Sequence, residues 1–218
     1  MTNATADTLD APLIEAIDLA CFRGDRLLFE GLNFALPAGQ LVQIHGRNGS
    51  GKTTLLRALC GLTLPTAGEV RWEGVPVRIG SSEYLAELNY VGHVSGVKLE
   101  LTGMENLKIA RALARKPSTL NLMQALERFE IEKFHDIPAR MLSAGQRRRV
   151  ALARLLVSDA RLWILDEPFN ALDVHAGEIL DDIVQNHVAA GGGVVLTSHQ
   201  PVRLRGGPPP MVRLGEAI

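Results

Sequence analysis

Cysteine is scarce, and neither sign of charge is in excess. Cys21 and Cys60 are the only cysteines in 218 residues and form no C-x-x-C pair. They suggest neither a disulfide framework nor a cysteine-based zinc site, and a reducing compartment suits the chain. Lys and Arg total 23 against 24 Asp and Glu, which gives no global attraction to nucleic acid. Long apolar runs are also missing. Val150 to Val157 is interrupted by Arg154 and Val194 to Leu196 stops at Thr197, well short of the ~20 residues that span a bilayer. No basic residue precedes Arg23, while Asp7, Asp10, Glu15 and Asp18 do, so no secretory signal is expected. Work at a membrane would require another chain to hold this one there.

What is present is apolar material in a patterned order. At 46% hydrophobic residues the chain can bury a sizeable core, and its length suits one α/β domain spanning 1–218. Residues 1–11 read as a polar leader. Alternation or short apolar runs predict strands at Glu15–Ala20, Leu32–Leu36, Leu41–Ile44, Glu69–Trp72, Leu162–Leu165, Val194–Thr197 and Met211–Leu214. Helical spacing predicts helices at Thr54–Leu62 and Ala176–Val188, and helical character from about Glu105 to Val157. The outline is a parallel α/β core interrupted by a helical insertion.

Gly46-Arg47-Asn48-Gly49-Ser50-Gly51-Lys52-Thr53 fits G-x-x-x-x-G-K-[ST], between an apolar strand and a helix that opens at Thr54. Glycines let such a loop curl its N–H groups toward phosphates, beside the positive end of the helix dipole. Lys52 can then reach the β- and γ-phosphates, and the Thr53 hydroxyl can ligate Mg²⁺. A nucleoside triphosphate is the expected ligand. Downstream, the apolar run Leu162–Leu165 ends in Asp166 and Glu167. A buried strand would bring Asp166 beside the phosphate loop to serve Mg²⁺, with Glu167 placed to accept a proton from an attacking water. Leu142-Ser143-Ala144-Gly145-Gln146 reads locally as a helix N-cap ahead of the apolar positions Val150, Ala151 and Leu155.

Phosphate loop, L-S-A-G-Q, L-D-E-P, Ala171-Leu172-Asp173 and Ser198-His199 occur in that order, and the whole resembles an ABC-type ATPase domain. The resemblance implies a P-loop, RecA-like α/β core with an antiparallel β subdomain and a helical subdomain inserted at about 95–158. It further implies a homodimer enclosing two Mg·ATP. Ser143, Ala144, Gly145, Gln146 and Asp173 would act on the nucleotide of the opposite subunit, and His199 would be a switch at the γ-phosphate. Phe22 resembles the aromatic that stacks on adenine; packing in the core is the alternative. Where the general family carries a glutamine that helps hold Mg²⁺, this chain has His93, whose imidazole can ligate a metal or order a water.

A narrower likeness follows from Gly92-His93, from Gly96-Val97-Lys98-Leu99-Glu100-Leu101-Thr102, and from the run Leu142 to Leu155. These resemble the ATP-binding subunit of the cytochrome c maturation haem exporter. That implies integral-membrane partner subunits, contacted through Tyr84 to Asn106, and a peripheral place on the cytoplasmic face of a bacterial inner membrane. It implies no nucleic-acid partner, and nothing in the sequence argues that this subunit binds haem itself. Arg147-Arg148-Arg149 and Arg154 are read as a solvated helix face with charge near the nucleotide. His45, His135, His175 and His187 are scattered, with no metal-ligand spacing. A soluble ABC-type ATPase of DNA repair or translation would bring a long coiled coil or a second ATPase domain, and neither is present. A GTP switch lacks its N-K-x-D or T-K-x-D element.

Overall fold

A computed structural model describes residues 11–198, 202 and 207–215. Its first part is antiparallel: β1 (Ile14–Arg23), β2 (Arg26–Leu36), β4 (Ala67–Trp72) and the short β5 (Val75–Pro76) form a sheet in the order β2-β1-β4-β5. The second sheet is parallel. It joins β3 (Leu41–Gly46), β6 (Leu88–Val91), β7 (Leu162–Asp166), β8 (Gly193–Thr197) and β9 (Met211–Leu214) in the order β6-β7-β8-β3-β9. β7 and β8 are buried along their whole length, as their unbroken apolar runs require of central parallel strands.

The two-residue period of a strand divides the core. Trp163 and Leu165 of β7 join a cluster built with the helical insertion, whereas Leu162 and Ile164 join one built with α1 (Lys52–Leu59) and the antiparallel sheet. α6 (Val174–Ala189) packs on the first face through Leu180, Ile183 and Val184. The insertion is less helical than its periodicity predicts. It contains α3 (Gly103–Leu113), α4 (Leu122–Glu127) and α5 (Ala144–Ala153), separated by turns and short 3₁₀ segments around Pro117 and Pro138. Proline has no N–H for a helix interior, so the chain breaks there. Its core is nevertheless dry: Leu107, Leu126, Phe129 and Val150 are fully buried. Capping boxes, Thr102 with Glu105 and Ser143 with Gln146, start α3 and α5. The short α2 (Ser82–Ala86), β5 and the edge strand β6 are additions to the elements expected from sequence.

Both cysteines are free and buried, and burial pushes the Cys60 thiol well above its ordinary range. His187 lies in α6 with its ring stacked on Trp163 at 3.8 Å, and its Nε2 is 3.2 Å from the Arg161 carbonyl oxygen. Burial lowers its pKa from 6.5 to about 4. Between those values the unfolded chain takes up a proton that the native state refuses, so stability is lost as pH falls through that window. The full effect is on the order of 3 kcal/mol. His187→Gln is therefore expected to flatten the stability curve between pH 6.5 and 4 in urea titrations. An unchanged slope there would contradict this assignment.

Candidate active site

The C-terminal ends of β3, β6 and β7 open into a cleft of about 530 Å³, lined among others by Arg47, Asn48, Gly49, Lys52, Thr53, Thr54, His93, Asp166 and Glu167. Ligands of open α/β sheets bind at such strand ends. The predicted phosphate-loop residues other than Gly46 and Ser50 therefore meet both carboxylates in one place, and His93 joins them.

Close packing dictates the loop's composition. A Cβ on Gly46 would lie 2.6 Å from Ser50 Oγ and 2.9 Å from the Leu214 carbonyl oxygen. Gly51 has φ 100° and sits against Leu28 and Phe29, so a side chain there would be both strained and obstructed. Lys52 opens α1, and its ammonium donates to the Gly46 carbonyl oxygen at 2.8 Å. Ser50 Oγ is buried with no hydrogen-bond partner among the described residues. A buried orphan hydroxyl in a phosphate loop fits an acceptor-rich ligand.

Asp166 is held from two sides. The Thr53 hydroxyl donates to its Oδ2 at 2.7 Å, and the Thr197 hydroxyl donates to its Oδ1 at 2.8 Å. Thr197 Oγ1 also accepts from the Glu167 N–H at 2.8 Å. Glu167 is 9% exposed and has φ 49°, a left-handed conformation that non-glycine residues rarely hold without outside support. Among the described residues no group of three or more His, Cys, Asp or Glu forms a metal cage. The Thr53 hydroxyl and Asp166 carboxylate are instead the sparse, hard oxygen donors that Mg²⁺ takes when phosphates and water complete its shell.

Ser143, Ala144, Gly145 and Gln146 do not line this cleft. They form the tip of α5, where the Ser143 hydroxyl accepts from the Gln146 N–H at 3.1 Å and the Gln146 side chain accepts from the Ser143 N–H at 2.8 Å. Ser143 and Ala144 are exposed. Gly145 is obligatory: its Cβ would lie 2.8 Å from the Ala171 carbonyl oxygen. Gly145→Ala should push α5 away from the 171–173 turn and cut turnover at least tenfold. Wild-type turnover in a phosphate-release assay would refute this packing argument. Asp173 caps α6 by accepting from the Ala176 N–H at 2.8 Å and receives Arg149 at 2.9 Å. That backbone hydrogen bond first, and Arg149 second, lower its pKa.

Phe22, at the end of β1, is 47% exposed. Core packing is thus excluded for it, although its neighbour Arg23, and not Phe22 itself, lines the cleft. His199 lies outside the described residues; Ser198, just before it, is tied to Gln43 of β3 by a 3.1 Å hydrogen bond. The arginine run is not the solvated face that its sequence suggests. Arg148 is buried, Arg149 reaches Asp173 and the Phe129 carbonyl, Arg147 reaches the Leu142 carbonyl, and Arg154 reaches the carbonyls of Ser95 and Gly96. The sequence reading misses Arg23, Leu28 and Asn170, which line the cleft, and Thr197 and Arg148, which bond to Asp166 and Glu167 from outside it.

Comparison with known proteins agrees with this geometry. Residues 29–170 match the ABC transporter family. The cytochrome c biogenesis ATP-binding export protein CcmA of Methylococcus capsulatus is 48% identical over 198 residues, covering 90% of this chain and 95% of its own. Its counterpart in Nitrosospira multiformis is 47% identical over 196 residues, 89% of this chain and 95% of its own. Among solved structures, an ATP-binding subunit of an ABC transporter superposes with a TM-score of 0.80 at 26% identity, over 93% of this chain and 85% of that one. A dimeric ATP-binding cassette in a post-hydrolysis state with ADP and Pi does so with a TM-score of 0.75 at 24% identity, over 86% of this chain and 88% of that one. Sequence likeness, fold and cleft converge, and the chain belongs to the ABC transporter family of ATP-hydrolysing subunits, within its cytochrome c biogenesis export group.

Proposed function

We propose that this chain supplies ATP energy to the haem-handling transporter of cytochrome c maturation, and that it does so as a homodimer seated on integral-membrane subunits. The observation that carries the enzymatic part is the meeting of Lys52, Thr53, Asp166 and Glu167 in one cleft. The subfamily part rests on the relatives' names and on His93 in the same cleft.

In this reading the N–H groups of Gly46 to Thr54 and the Lys52 ammonium hold the triphosphate, and Phe22 stacks on the adenine. Thr53 and Asp166 would hold Mg²⁺, with His93 ligating it or ordering a water, and the bound metal would supply charge neutralisation for the phosphates. Glu167 takes a proton from the attacking water as its oxygen bonds to the γ-phosphorus and the bond to the β–γ bridging oxygen breaks. His199 contacts the γ-phosphate. Ser143, Ala144, Gly145, Gln146 and Asp173 of a second copy complete each site. Such a site closes on a triphosphate and loosens on a diphosphate, because the γ-phosphate contacts exist in only one of those states.

Among the described residues no helix is long and apolar enough to cross a membrane. The proposal places the chain on the cytoplasmic face of the inner membrane through its partners. A groove between α2, β6 and α3, lined by Leu85, Tyr90, Leu113 and Arg115, supports contact through Tyr84 to Asn106. Leu113, in that groove, is 77% exposed, and Val94, within the 84–106 segment, is 84% exposed. The reading assigns this subunit neither haem nor nucleic acid. Affinity purification of the Glu167→Gln variant from detergent-solubilised membranes with Mg·ATP tests it. Recovery of multi-span cytochrome c maturation proteins supports it. An unrelated permease would leave the ATPase and remove the haem assignment, and ribosomal or DNA-bound partners alone would overturn the membrane role.

A further inference from the structure

Arg148 is 5% exposed, and its guanidinium makes four hydrogen bonds, all to main-chain carbonyls. Nε donates to Pro168 at 3.1 Å, Nη1 to Gly92 at 3.0 Å, and Nη2 to Asp166 at 3.0 Å and Glu167 at 2.8 Å. Burying a guanidinium is costly unless its donors are met, and here four carbonyls meet them. What only arginine provides is a rigid planar fork with five N–H donors aimed in several directions. Here that fork spans the C-terminal ends of two paired strands, β6 and β7.

Three of the four acceptors are the consecutive carbonyls of residues 166–168, the stretch in which Glu167 takes its left-handed φ of 49°. Thr197 holds that stretch from the amide side and Arg148 from the carbonyl side. The fourth acceptor, Gly92, immediately precedes His93 and follows β6, the strand paired with β7, so both strand ends open side by side into the cleft. Six residues further along, Arg154 donates to the carbonyls of Ser95 and Gly96, each at 3.3 Å. The His93 loop is therefore fastened to the α5 region at both ends. α5 is also the helix whose tip carries Ser143 and Gly145.

We propose that Arg148 is a positioning residue for ATP hydrolysis. It clamps the main chain at 166–168 to the main chain at 92, fixes Glu167 and His93 side by side at the ends of β7 and β6, and links both to the α5 tip. A displacement of that tip is then transmitted to the cleft of the same chain. The inference rests on Glu167 as the proton acceptor, and its test keeps the two claims apart.

The measurement is steady-state phosphate release and Mg·ATP affinity for the full-length chain as wild type, Arg148→Gln, Arg148→Lys and Glu167→Gln. Glutamine offers two donors, and lysine keeps the charge but places three donors on one atom, so neither rebuilds the clamp. Both Arg148 variants are expected to lose at least tenfold in kcat while ATP Kd stays within twofold of wild type. A smaller loss in kcat, or a Kd that weakens in step with kcat, overturns the clamp. Should Arg148→Gln fail to fold by circular dichroism, Arg148→Lys decides on the same thresholds, and failure of both to fold assigns Arg148 to structure alone and overturns the proposal. Normal turnover in Glu167→Gln removes the proton-acceptor assignment. Lost turnover there beside normal turnover in Arg148→Gln removes the clamp alone.

Discussion

Glu167→Gln should bind ATP within about twofold of wild type and turn it over at least a hundredfold more slowly, since a placed general base is worth about 10²–10⁴ in rate. The substitution keeps the side chain's size. It also leaves intact the supports of the backbone at this residue, namely the Thr197 hydroxyl on its N–H and Arg148 on its carbonyl. Nothing that holds the phosphates is altered, because the loop from Gly46 to Thr54 belongs to β3 and α1, and Glu167 follows β7. What is lost is a carboxylate able to take a proton. Phosphate release, measured beside fluorescent-nucleotide binding, separates these effects. Normal hydrolysis by the variant would show that the water gives its proton elsewhere.

Lys52→Ala should act on the other quantity and weaken ATP binding by roughly 10- to 100-fold or more. A hydrogen bond to a charged group contributes about 1.5–3 kcal/mol, and each 1.4 kcal/mol is about tenfold in affinity. Lys52 provides such bonds from the first turn of α1, where no acidic residue offsets the helix's positive end. Loop and helix should survive the change, since Gly46, Gly51 and the packing of Leu55 and Leu59 are untouched. Isothermal titration with ATP checks the prediction. Unchanged affinity would remove Lys52 from the phosphate site.

These two residues were legible because the reasons for their placement are local. A strand, a glycine-bearing loop and a helix follow one another without interruption from Leu41 to Leu59, and the loop's geometry needs nothing from the rest of the chain. Likewise β7, buried on both faces, could only deliver Asp166 and Glu167 to its C-terminal end. Arg148 and Thr197 were opaque for the converse reason. Thr197 meets Asp166 across 31 positions and Arg148 meets Gly92 across 56, and a hydrogen bond to a carbonyl puts no constraint on the acceptor's side chain. The run of three arginines consequently looked like solvated charge. β6 was missed because Leu88-Asn89-Tyr90-Val91 is only partly buried and lacks clean alternation. In the insertion, apolar spacing persists through turns that proline makes non-helical, so periodicity overstates the helix. The L-S-A-G-Q segment was legible as a helix start, whereas its exposed tip does not line the cleft of its own chain.

That exposed tip sets the central question, which is whether the cleft is complete in one chain or only in two. The most direct measurement is the molar mass of Glu167→Gln by light scattering with Mg·ATP, compared with Mg·ADP, together with the nucleotide content of each species. The account predicts a dimer carrying one ATP per chain in the first condition and a smaller dimer fraction in the second, with the ATP dimer abolished by an added Ser143→Arg substitution. A monomer that holds Mg·ATP at full occupancy, or a dimer indifferent to both nucleotide and Ser143→Arg, would contradict it.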